Sequence, residues 1–332
     1  MKAVELVAPA QLRVVERTTP EPGPGEVRIA VSSVGICGTD MEFYRGRRSA
    51  GYPFVLGHEC AGRIDAIGEG VSEWSIGTPV TVRPNFGCGR CEFCVDGKDN
   101  VCPDGRGLGV RIDGCLCEYF LAPARYVWPI PRGMDAKTAA MIEPAAVAER
   151  AVRRAGTIAG RRLLILGAGT IGLLALQIAA IGGAEVSVAD PIAERRRWAT
   201  DLGAYCALDP TTGELDGKRF DLVIETAGVP GAAEAAVEHA HSGGWIVLTG
   251  LPMDAARLET KWIVWRELKL VGSFIYDISD FARASERIAS GELQASALVT
   301  DSYPLEHVGD AFRAVAEHRG LKTVIEIREE DW

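Results

Sequence analysis

The first part of the chain, to about residue 145, combines short alternating apolar segments with dense turn signals. Residues 26–32 alternate between polar and apolar side chains with a period of two, which predicts a half-buried strand. Proline and glycine at residues 20–25 predict a turn just before it. Helical periodicity is scarce until residues 134–155, which are rich in alanine. We therefore expect this part to be irregular and rich in β-structure.

Beyond residue 155 the pattern becomes a regular alternation of buried strands and helices. The predicted strands are 162–166, 185–189, 220–224 and 244–248. The predicted helices between them are 170–181, 192–202 and 231–240. This alternation predicts βαβ units and an α/β fold with a doubly wound parallel sheet. Two helices, at 279–290 and 305–317, and a final strand at 323–327 return to a less regular pattern.

Composition and charge narrow the class of protein. A length of 332 residues favours two domains over one core. Hydrophobic residues make up 47% and charged residues 24%, which argues against extensive disorder. The net charge of −9 and the lack of a basic cluster argue against a nucleic-acid partner. Without a signal peptide or an apolar segment long enough to span a bilayer, we expect a cytoplasmic protein with no membrane partner. Nine cysteines then indicate metal or redox chemistry instead of a disulfide framework.

The segment from Gly167 to Gly172 reads G-x-G-x-x-G and lies between a predicted strand and a predicted helix. In this context the motif predicts a Rossmann dinucleotide site. Gly167 permits the tight turn, Gly169 permits close approach of the pyrophosphate, and Gly172 permits close packing of helix and strand. The N-terminus of the helix then offers free amides to the phosphates.

Asp190 ends the next strand, where a carboxylate accepts hydrogen bonds from the adenosine ribose and repels a 2′-phosphate. NAD is therefore favoured over NADP. Arginines at 195–197 weaken this preference, since an arginine can hold a 2′-phosphate. The alternative interpretation is a glycine-rich turn that binds no nucleotide.

Four cysteines, Cys88, Cys91, Cys94 and Cys102, lie within 15 residues. Four thiolates at this spacing suit tetrahedral Zn²⁺ and leave no position for a substrate, so the site is predicted to be structural. Four reduced cysteines without metal, or an iron–sulfur cluster, are the alternatives.

Two further motifs precede this loop: Cys-Gly-Thr-Asp at residues 37–40 and Gly-His-Glu at residues 57–59. Together with the four cysteines and the glycine motif, in this order, they make the chain resemble the zinc-dependent medium-chain alcohol dehydrogenases. The resemblance covers essentially the whole chain. Glu143-Pro144 is similar to the sorbitol and threonine dehydrogenase branch. The resemblance implies a β-rich GroES-like catalytic domain at 1–145 and 275–332, and a Rossmann NAD-binding domain at 146–274. It places the active site in the cleft between them.

A catalytic zinc site follows from this resemblance. Cys37 and His58 are the implied ligands, Glu59 is a ligand or a neighbour of the ligands, and Glu143 is a fourth ligand, direct or through water. A thiolate and two carboxylates would make the site net negative and weaken it as a Lewis acid, so we expect Glu143 to be displaced during turnover. Thr39 is expected to take the proton from the alcohol and pass it outward. Asp40 is expected to orient His58.

Two departures from the family bear on the substrate. Glu42 stands where many relatives carry a histidine that completes the proton relay. It either takes over that role or contacts a polar or cationic substrate, such as an amino sugar. Ile275 stands where sorbitol dehydrogenases have an arginine, which argues against sorbitol itself.

The resemblance also implies the residues that bind the dinucleotide. They are Gly167, Gly169, Thr170, Ile171, Gly172, Asp190, Arg195, Gly228, Gly250, Gly272, Ser273 and Lys322. Lys322 is expected to meet the pyrophosphate, and Gly272 and Ser273 to approach the nicotinamide.

The sequence therefore predicts a dehydrogenase that uses NAD and zinc, one catalytic and one structural ion per chain, to convert a secondary alcohol into a ketone. The substrate is expected to be a sugar, polyol, cyclitol or amino sugar, including an aminocyclitol. A homodimer or homotetramer is expected. The alternatives are a simple aliphatic alcohol or threonine dehydrogenase, and a zinc- and nucleotide-binding structural or sensor protein without catalysis.

Overall fold

A computed structural model describes residues 1–328 of the chain. They form two compact units. The first comprises Met1–Glu143 and the chain from Gln294 onward, and the second comprises Pro144–Leu293. The predicted boundary near residue 275 differs from this division, because residues 275–293 belong to the second unit. Residues 329–332 of the predicted catalytic domain lie outside the described residues. Within residues 1–328 no helix has the length and apolar character needed to cross a membrane.

The first unit is built mainly from antiparallel strands. Before the second unit these are β1 Lys2–Ala8, β2 Gln11–Glu16, β3 Glu26–Gly35, β4 Phe54–Val55, β5 Glu59–Ile67, β6 Pro79–Val82, β7 Asn85–Phe86, β8 Arg106–Gly107, β9 Tyr119–Pro123 and β10 Val127–Pro129. After it the chain adds β17 Val299–Pro304 and β18 Lys322–Glu326. The largest sheet has the order β10-β6-β5-β3-β18-β17, with β9 on β3. A β2-β1-β4 sheet and a β7-β8 pair complete the strands. The β-rich character predicted for this part is confirmed.

Helices of the first unit are short. They are α1 Gly38–Tyr44, α2 Glu92–Val95, α3 Ala136–Ala140 and α10 Val308–Ala316. One continuous core links the sheets to α1 and α10, and it includes Leu6, Ile29, Leu56 and Phe312. Aromatic pairs fix α1 in this core: Tyr44 packs on Phe312 with ring centroids 5.1 Å apart, and Phe43 on Phe54 at 5.8 Å. The helix that carries Cys37 at its start is therefore held firmly.

The second unit is a six-stranded parallel sheet with flanking helices. Its strands are β11 Arg162–Leu166, β12 Glu185–Ala189, β13 Cys206–Leu208, β14 Phe220–Glu225, β15 Ala240–Leu248 and β16 Lys269–Gly272. Its helices are α4 Ile142–Arg154, which begins in the first unit, α5 Thr170–Ile181, α6 Ala193–Asp201, α7 Ala232–His239, α8 Thr260–Trp265 and α9 Ile278–Ala289. The strand order is β13-β12-β11-β14-β15-β16. When β11 is counted as the first strand, this is the doubly wound strand order of a Rossmann sheet. The predicted fold class is therefore confirmed.

The predicted helix over 134–155 is divided into α3 and α4 at Met141. Pro144 explains the break, because its nitrogen has no hydrogen to donate to the carbonyl of Ala140 four residues earlier. This break places Glu143 in the first turn of α4. The predicted helix at 305–317 begins later, at Val308, after a short 3₁₀ turn.

Candidate zinc and nucleotide sites

Asp40 joins the two chain segments that carry the predicted zinc ligands. Its Oδ2 accepts the amide of Cys37 at 2.9 Å, and its Oδ1 accepts the amide of Gly57 at 3.1 Å. The same Oδ1 lies 3.7 Å from Nδ1 of His58. Asp40 is fully buried, so these contacts hold Cys37, at the start of α1, and His58, at the start of β5, in a fixed relation. The predicted role of Asp40 in orienting His58 is consistent with this geometry.

Cys37, His58 and Glu59 bring a sulfur, a ring nitrogen and a carboxylate oxygen within 4.8 Å of one another. These are the donor types that Zn²⁺ prefers. Burial would lower the pKa of His58, but Asp40, Cys37 and Glu143 raise it well above its ordinary value. The surroundings of His58 therefore favour a positive charge at this place. His58 and Glu59 are buried, whereas Cys37 is half-buried, so the group is partly accessible at Cys37. On donor set and charge, the residues fit a zinc ion.

Lys322 places a buried ammonium beside the carboxylate of this group. On β18, its Nζ forms an ion pair with Oε2 of Glu59 and donates to the carbonyl of Ile36 at 3.1 Å. The Lys322 side chain is 3% exposed and the Glu59 side chain 1%. Burial lowers the pKa of Lys322, but Glu59, Cys37 and Glu143 raise it, and the net shift is upward. These contacts differ from the predicted contact with the pyrophosphate.

Gly35 explains how Glu59 and Lys322 can lie so close to β3. A Cβ at residue 35 would overlap Oε2 of Glu59 and lie 2.8 Å from Cε of Lys322. Because real Cβ atoms do not approach so closely, the ion pair needs glycine at this position.

Glu143 is buried in the first turn of α4. It lies outside the group of three donors, but its negative charge raises the pKa of both His58 and Lys322. The sequence left open whether Glu59 or Glu143 is the persistent ligand. In the structure Glu59 shares the compact donor group with Cys37 and His58, whereas Glu143 acts on the group through its field.

Thr39 and Glu42 follow Cys37 on α1, and both are partly exposed. Oε1 of Glu42 lies 3.7 Å from a guanidinium nitrogen of Arg45, and Oε2 lies 3.3 Å from Nε of Arg47. Two arginines therefore already neutralise Glu42. This pairing does not favour the predicted contact between Glu42 and a cationic substrate.

The four predicted ligands of the structural zinc form a second compact group. The Sγ atoms of Cys88, Cys91, Cys94 and Cys102 all lie within 4.8 Å of one another. All four are free thiols. Amides of Arg90 and Cys91 donate to Cys88 and lower the pKa of its thiol to about 6, which gives it the thiolate character that a metal ligand needs. Four sulfurs gathered in this way fit a tetrahedral zinc ion.

Tyr126 anchors the four-cysteine loop to the first unit. Its hydroxyl accepts the amide of Gly87 at 2.8 Å. The guanidinium groups of Arg83 and Arg125 lie 4.8 and 5.1 Å from the centre of its ring. Arg83 also bonds to Asp99 within the loop, at 3.2 Å. Cation–π contacts and hydrogen bonds thus fix both ends of the loop, a connection that the sequence analysis did not identify.

In the second unit the glycine motif lies where it was predicted, between β11 and α5. Gly169 is the residue before α5, and Thr170 and Ile171 form the first turn of the helix. A Cβ at Gly172 would overlap the carbonyl oxygen of Gly167. This close approach is what the predicted role of the glycine, close packing of helix and strand, requires. The amides at the start of α5 fit a pyrophosphate.

Asp190 follows β12 and is buried, with both oxygens in hydrogen bonds. Oδ2 accepts the amide of Ala168 and Oδ1 that of Ile192, each at 2.8 Å. A carboxylate has about four acceptor positions, so capacity remains for ribose hydroxyls. A guanidinium nitrogen of Arg195 lies 3.8 Å from Oδ2. Asp190 and Arg195, which were both predicted to bind the cofactor, thus lie together after β12 and beside the glycine motif.

Glu225 at the end of β14 is a functional candidate that the sequence analysis did not single out. Its Oε1 accepts the amide of Gly228 at 2.7 Å. Its main-chain oxygen accepts the amides of Thr249 and Gly250, at 2.9 and 3.1 Å. Burial raises the pKa of this carboxyl, and the amides that donate to it lower the pKa by less, so the net shift is upward. Glu225 therefore fixes the two loops that carry Gly228 and Gly250. A buried acid at the carboxyl end of a parallel strand is the sequence signal that could have found it.

The remaining predicted cofactor residues, Gly272 and Ser273, lie at the end of β16. The amide of Ser273 donates to the carbonyl of Leu248 at 2.9 Å, so this end is held to β15. The hydroxyl of Ser273 is buried and has no hydrogen-bond partner within the described part of the chain. Such a hydroxyl fits a polar ligand at this edge of the sheet.

Comparisons with known proteins agree with this geometry. Residues 23–132 match the alcohol dehydrogenase GroES-like domain, and residues 170–290 match the zinc-binding dehydrogenase domain. A 2-dehydro-3-deoxy-L-galactonate 5-dehydrogenase from Pseudoalteromonas atlantica is 35% identical, over 99% of this chain and 100% of its own length. The chain belongs to the zinc-dependent medium-chain alcohol dehydrogenase family. It is an oxidoreductase of that family's sorbitol dehydrogenase-like branch, since a sorbitol dehydrogenase from Bacillus subtilis is 33% identical, over 98% of this chain and 97% of its own.

Solved structures of similar dehydrogenases have the same fold. An alcohol dehydrogenase from Escherichia coli CFT073, crystallised with NADH, has a TM-score of 0.92 and 33% identity, over 98% of this chain and 99% of its own. A zinc-binding dehydrogenase from Sinorhizobium meliloti 1021, bound to NADP, has a TM-score of 0.91 and 32% identity, over 98% of this chain and 99% of its own. The predicted family and fold are thereby confirmed.

Proposed function

We propose that this protein is an NAD-dependent zinc dehydrogenase that oxidises a secondary hydroxyl of a polyhydroxylated substrate to a ketone. The observation that carries this proposal is the compact group of Cys37, His58 and Glu59, which is partly accessible at Cys37. The relatives named for galactonate-type and sorbitol substrates support the substrate class. The names of these relatives favour sugar-type substrates over a simple aliphatic alcohol or threonine.

The residues of the first unit have separate roles in this proposal. Cys37, His58 and Glu59 hold the catalytic zinc, and Glu143 acts on them through its negative charge. Bound zinc supplies a Lewis acid that makes an alcohol easier to ionise. Thr39, two residues after Cys37, takes the proton from the alcohol and passes its own hydroxyl proton outward to solvent. Lys322 neutralises Glu59 and so keeps the group from becoming net negative.

The second unit binds the dinucleotide, which accepts the hydride. The amides at the start of α5 hold the pyrophosphate, and Asp190 receives the adenosine ribose. The loops fixed by Glu225, together with Gly272 and Ser273, meet the nicotinamide half. Asp190 favours NAD through its negative charge, and Arg195 moderates that preference.

The four-cysteine group binds the second zinc as a structural ion, because four thiolates leave no position for substrate. Reduced thiolates of this kind persist in the reducing cytoplasm, where we place the protein. We also propose a homodimer or homotetramer, to be tested by light scattering on the purified protein.

The test of the function is a screen for NAD⁺ reduction by the zinc-loaded protein. The panel contains polyols, sugar acids, sugar phosphates, cyclitols, amino sugars and simple secondary alcohols, each with NAD⁺ and with NADP⁺. The proposal expects turnover with a polyhydroxylated substrate and a preference for NAD⁺. Binding of NAD⁺ and zinc without turnover of any substrate would favour the structural or sensor alternative.

A further inference from the structure

One face of α1 carries a line of side chains that begins beside Cys37. Thr39, Glu42 and Arg45 are spaced three residues apart, so they lie on the same side of the helix. At about 1.5 Å of rise per residue, Arg45 lies roughly 9 Å along the helix from Thr39. This distance suits a substrate chain that has a reacting hydroxyl near Thr39 and its far end near Arg45.

The segment after α1 folds back around Glu42. The carbonyl oxygen of Glu42 accepts the amides of Arg47 at 2.9 Å and Arg48 at 3.1 Å. Its carboxylate faces Arg45 and Arg47. Two arginines thus face a single carboxylate, and Arg48 follows directly in the chain, so residues 42–48 carry more positive than negative charge. The side chains of Arg45 and Arg47 are 38% and 45% exposed, so they are open to a ligand from solvent.

A fixed helix gives this charge a fixed position relative to the metal group. Asp40 ties the start of α1 to Cys37 and Gly57, and the aromatic pairs of Phe43 and Tyr44 bury its other face. The start of the arginine segment, directly after α1, therefore has a defined position relative to Cys37. A rigid frame is what discrimination between substrates requires.

We propose that Arg45, Arg47 and Arg48 form a recognition site for an anionic group on the substrate, so that the preferred substrate is a sugar acid or a sugar phosphate and not a neutral polyol. Guanidinium groups bind carboxylates and phosphates through paired, charge-assisted hydrogen bonds. Glu42 contacts Arg45 and Arg47 and offsets part of their positive charge. This inference rests on the proposed function and adds the charge of the substrate to it.

The experiment compares kcat/KM for matched substrates: L-galactonate for the carboxylate, galactitol 1-phosphate for the phosphate, and galactitol as the neutral polyol. The wild type is compared with the double variant Arg45→Gln/Arg47→Gln. Arg219→Gln is the control with the same type of charge change, since Arg219 lies in the second unit just before β14. Calorimetry measures the binding of L-galactonate directly, at low and at high salt.

We expect the ratio of kcat/KM for an anionic substrate to that for galactitol to be well above one in the wild type. It should fall at least tenfold in the double variant, mainly through KM, and stay unchanged in Arg219→Gln. The substrate whose kcat/KM falls more in the double variant shows which anionic group the site prefers, the carboxylate of L-galactonate or the phosphate of galactitol 1-phosphate. Calorimetric affinity for L-galactonate should fall in parallel and weaken with salt.

A wild type that prefers galactitol, or a double variant that keeps its preference for anions, would overturn the anion site while leaving the proposed function intact. Failure of the wild type to reduce NAD⁺ with any member of the panel would instead overturn the proposed function. Glu42→Gln separates the anion site from the amino-sugar hypothesis. The anion site predicts that this variant retains or improves KM for L-galactonate, whereas a counter-charge role predicts a selective loss with amino substrates.

Discussion

The ammonium of Lys322 and the carboxylate of Glu59 form a buried ion pair within the group that also contains Cys37 and His58. This pair changes the charge of the site. A thiolate with two carboxylates would leave Zn²⁺ in a net negative group, whereas the ammonium of Lys322 returns the total to neutral. Glu59 and Glu143 can therefore both lie close to the metal, and displacement of Glu143 is no longer required by charge alone.

Replacement of Lys322 tests this relation. Lys322→Met leaves Glu59 as a buried carboxylate without its partner, which is expected to destabilise the zinc-free protein by about 3–5 kcal/mol. Lys322→Arg keeps the charge and should recover most of that loss. Urea unfolding of the chelated protein measures the effect. A Lys322→Met protein as stable as the wild type would show that the pair makes no contribution to stability.

The two glutamates near the metal are expected to differ in their effect on zinc. Glu59→Gln removes a charged donor from the compact group and should weaken zinc binding at least tenfold. Glu143→Gln should keep zinc, because Glu143 lies outside that group. Competition with a chromogenic chelator measures both affinities. Loss of the metal from Glu143→Gln with its retention in Glu59→Gln would reverse the assignment.

Asp190 is expected to set cofactor choice. Asp190→Ala removes an acceptor for the ribose and a charge that repels a 2′-phosphate, so the kcat/KM ratio of NAD⁺ to NADP⁺ should fall at least tenfold. The variant also leaves the amides of Ala168 and Ile192 without their acceptor. A stability loss of about 1–3 kcal/mol should accompany the change. A wild type that already prefers NADP⁺ would contradict this interpretation.

Asp277 gives the second unit a defined response to acid. Burial would raise the pKa of this carboxyl, but hydrogen bonds from Ser279 and Asp280 and the charge of Arg153 hold it well below the usual range. Because the folded-state pKa is depressed, the stabilisation is present above about pH 4, the ordinary value, and is lost as the pH falls toward the folded-state pKa.

The matched variant for this effect is Asp277→Asn, which keeps an N-cap acceptor for α9. It should lower the free energy of unfolding by about 1–2 kcal/mol at neutral pH. The difference from wild type should shrink below about pH 4, because wild-type Asp277 then also becomes neutral. Unfolding curves across this pH range are the measurement, and a difference that stays constant with pH would exclude the ionic explanation.

Periodic segments of the chain could be predicted well from the sequence. Strands β11 and β12 and helix α5 have the predicted bounds, because their apolar residues repeat over whole elements. Short elements such as β13, β16 and α8 were not predicted, since three to six residues hold too little periodicity. The break at Met141 could have been predicted from Pro144.

The same contrast holds at the site. The four cysteines were found from their local spacing, whereas Cys37, His58 and Glu59 were identified through the family resemblance that their short motifs carry. The contact of Lys322 with Glu59 joins residues far apart in sequence, and no local pattern indicates it. The pairing of Glu42 with Arg47 depends on how the chain turns after α1, which the sequence pattern also did not show.

In the function proposed above, one metal group performs catalysis and the other stabilises the fold. Zinc content and turnover, measured together on Cys37→Ala and Cys94→Ala, test this division of roles. The wild type should hold two zinc ions per chain, one for each donor group. Cys37→Ala should keep the structural ion, the fold and NAD⁺ binding but lose turnover, while Cys94→Ala should lose one ion and chiefly stability. Equal loss of folding in both variants, or turnover retained by Cys37→Ala, would contradict the account.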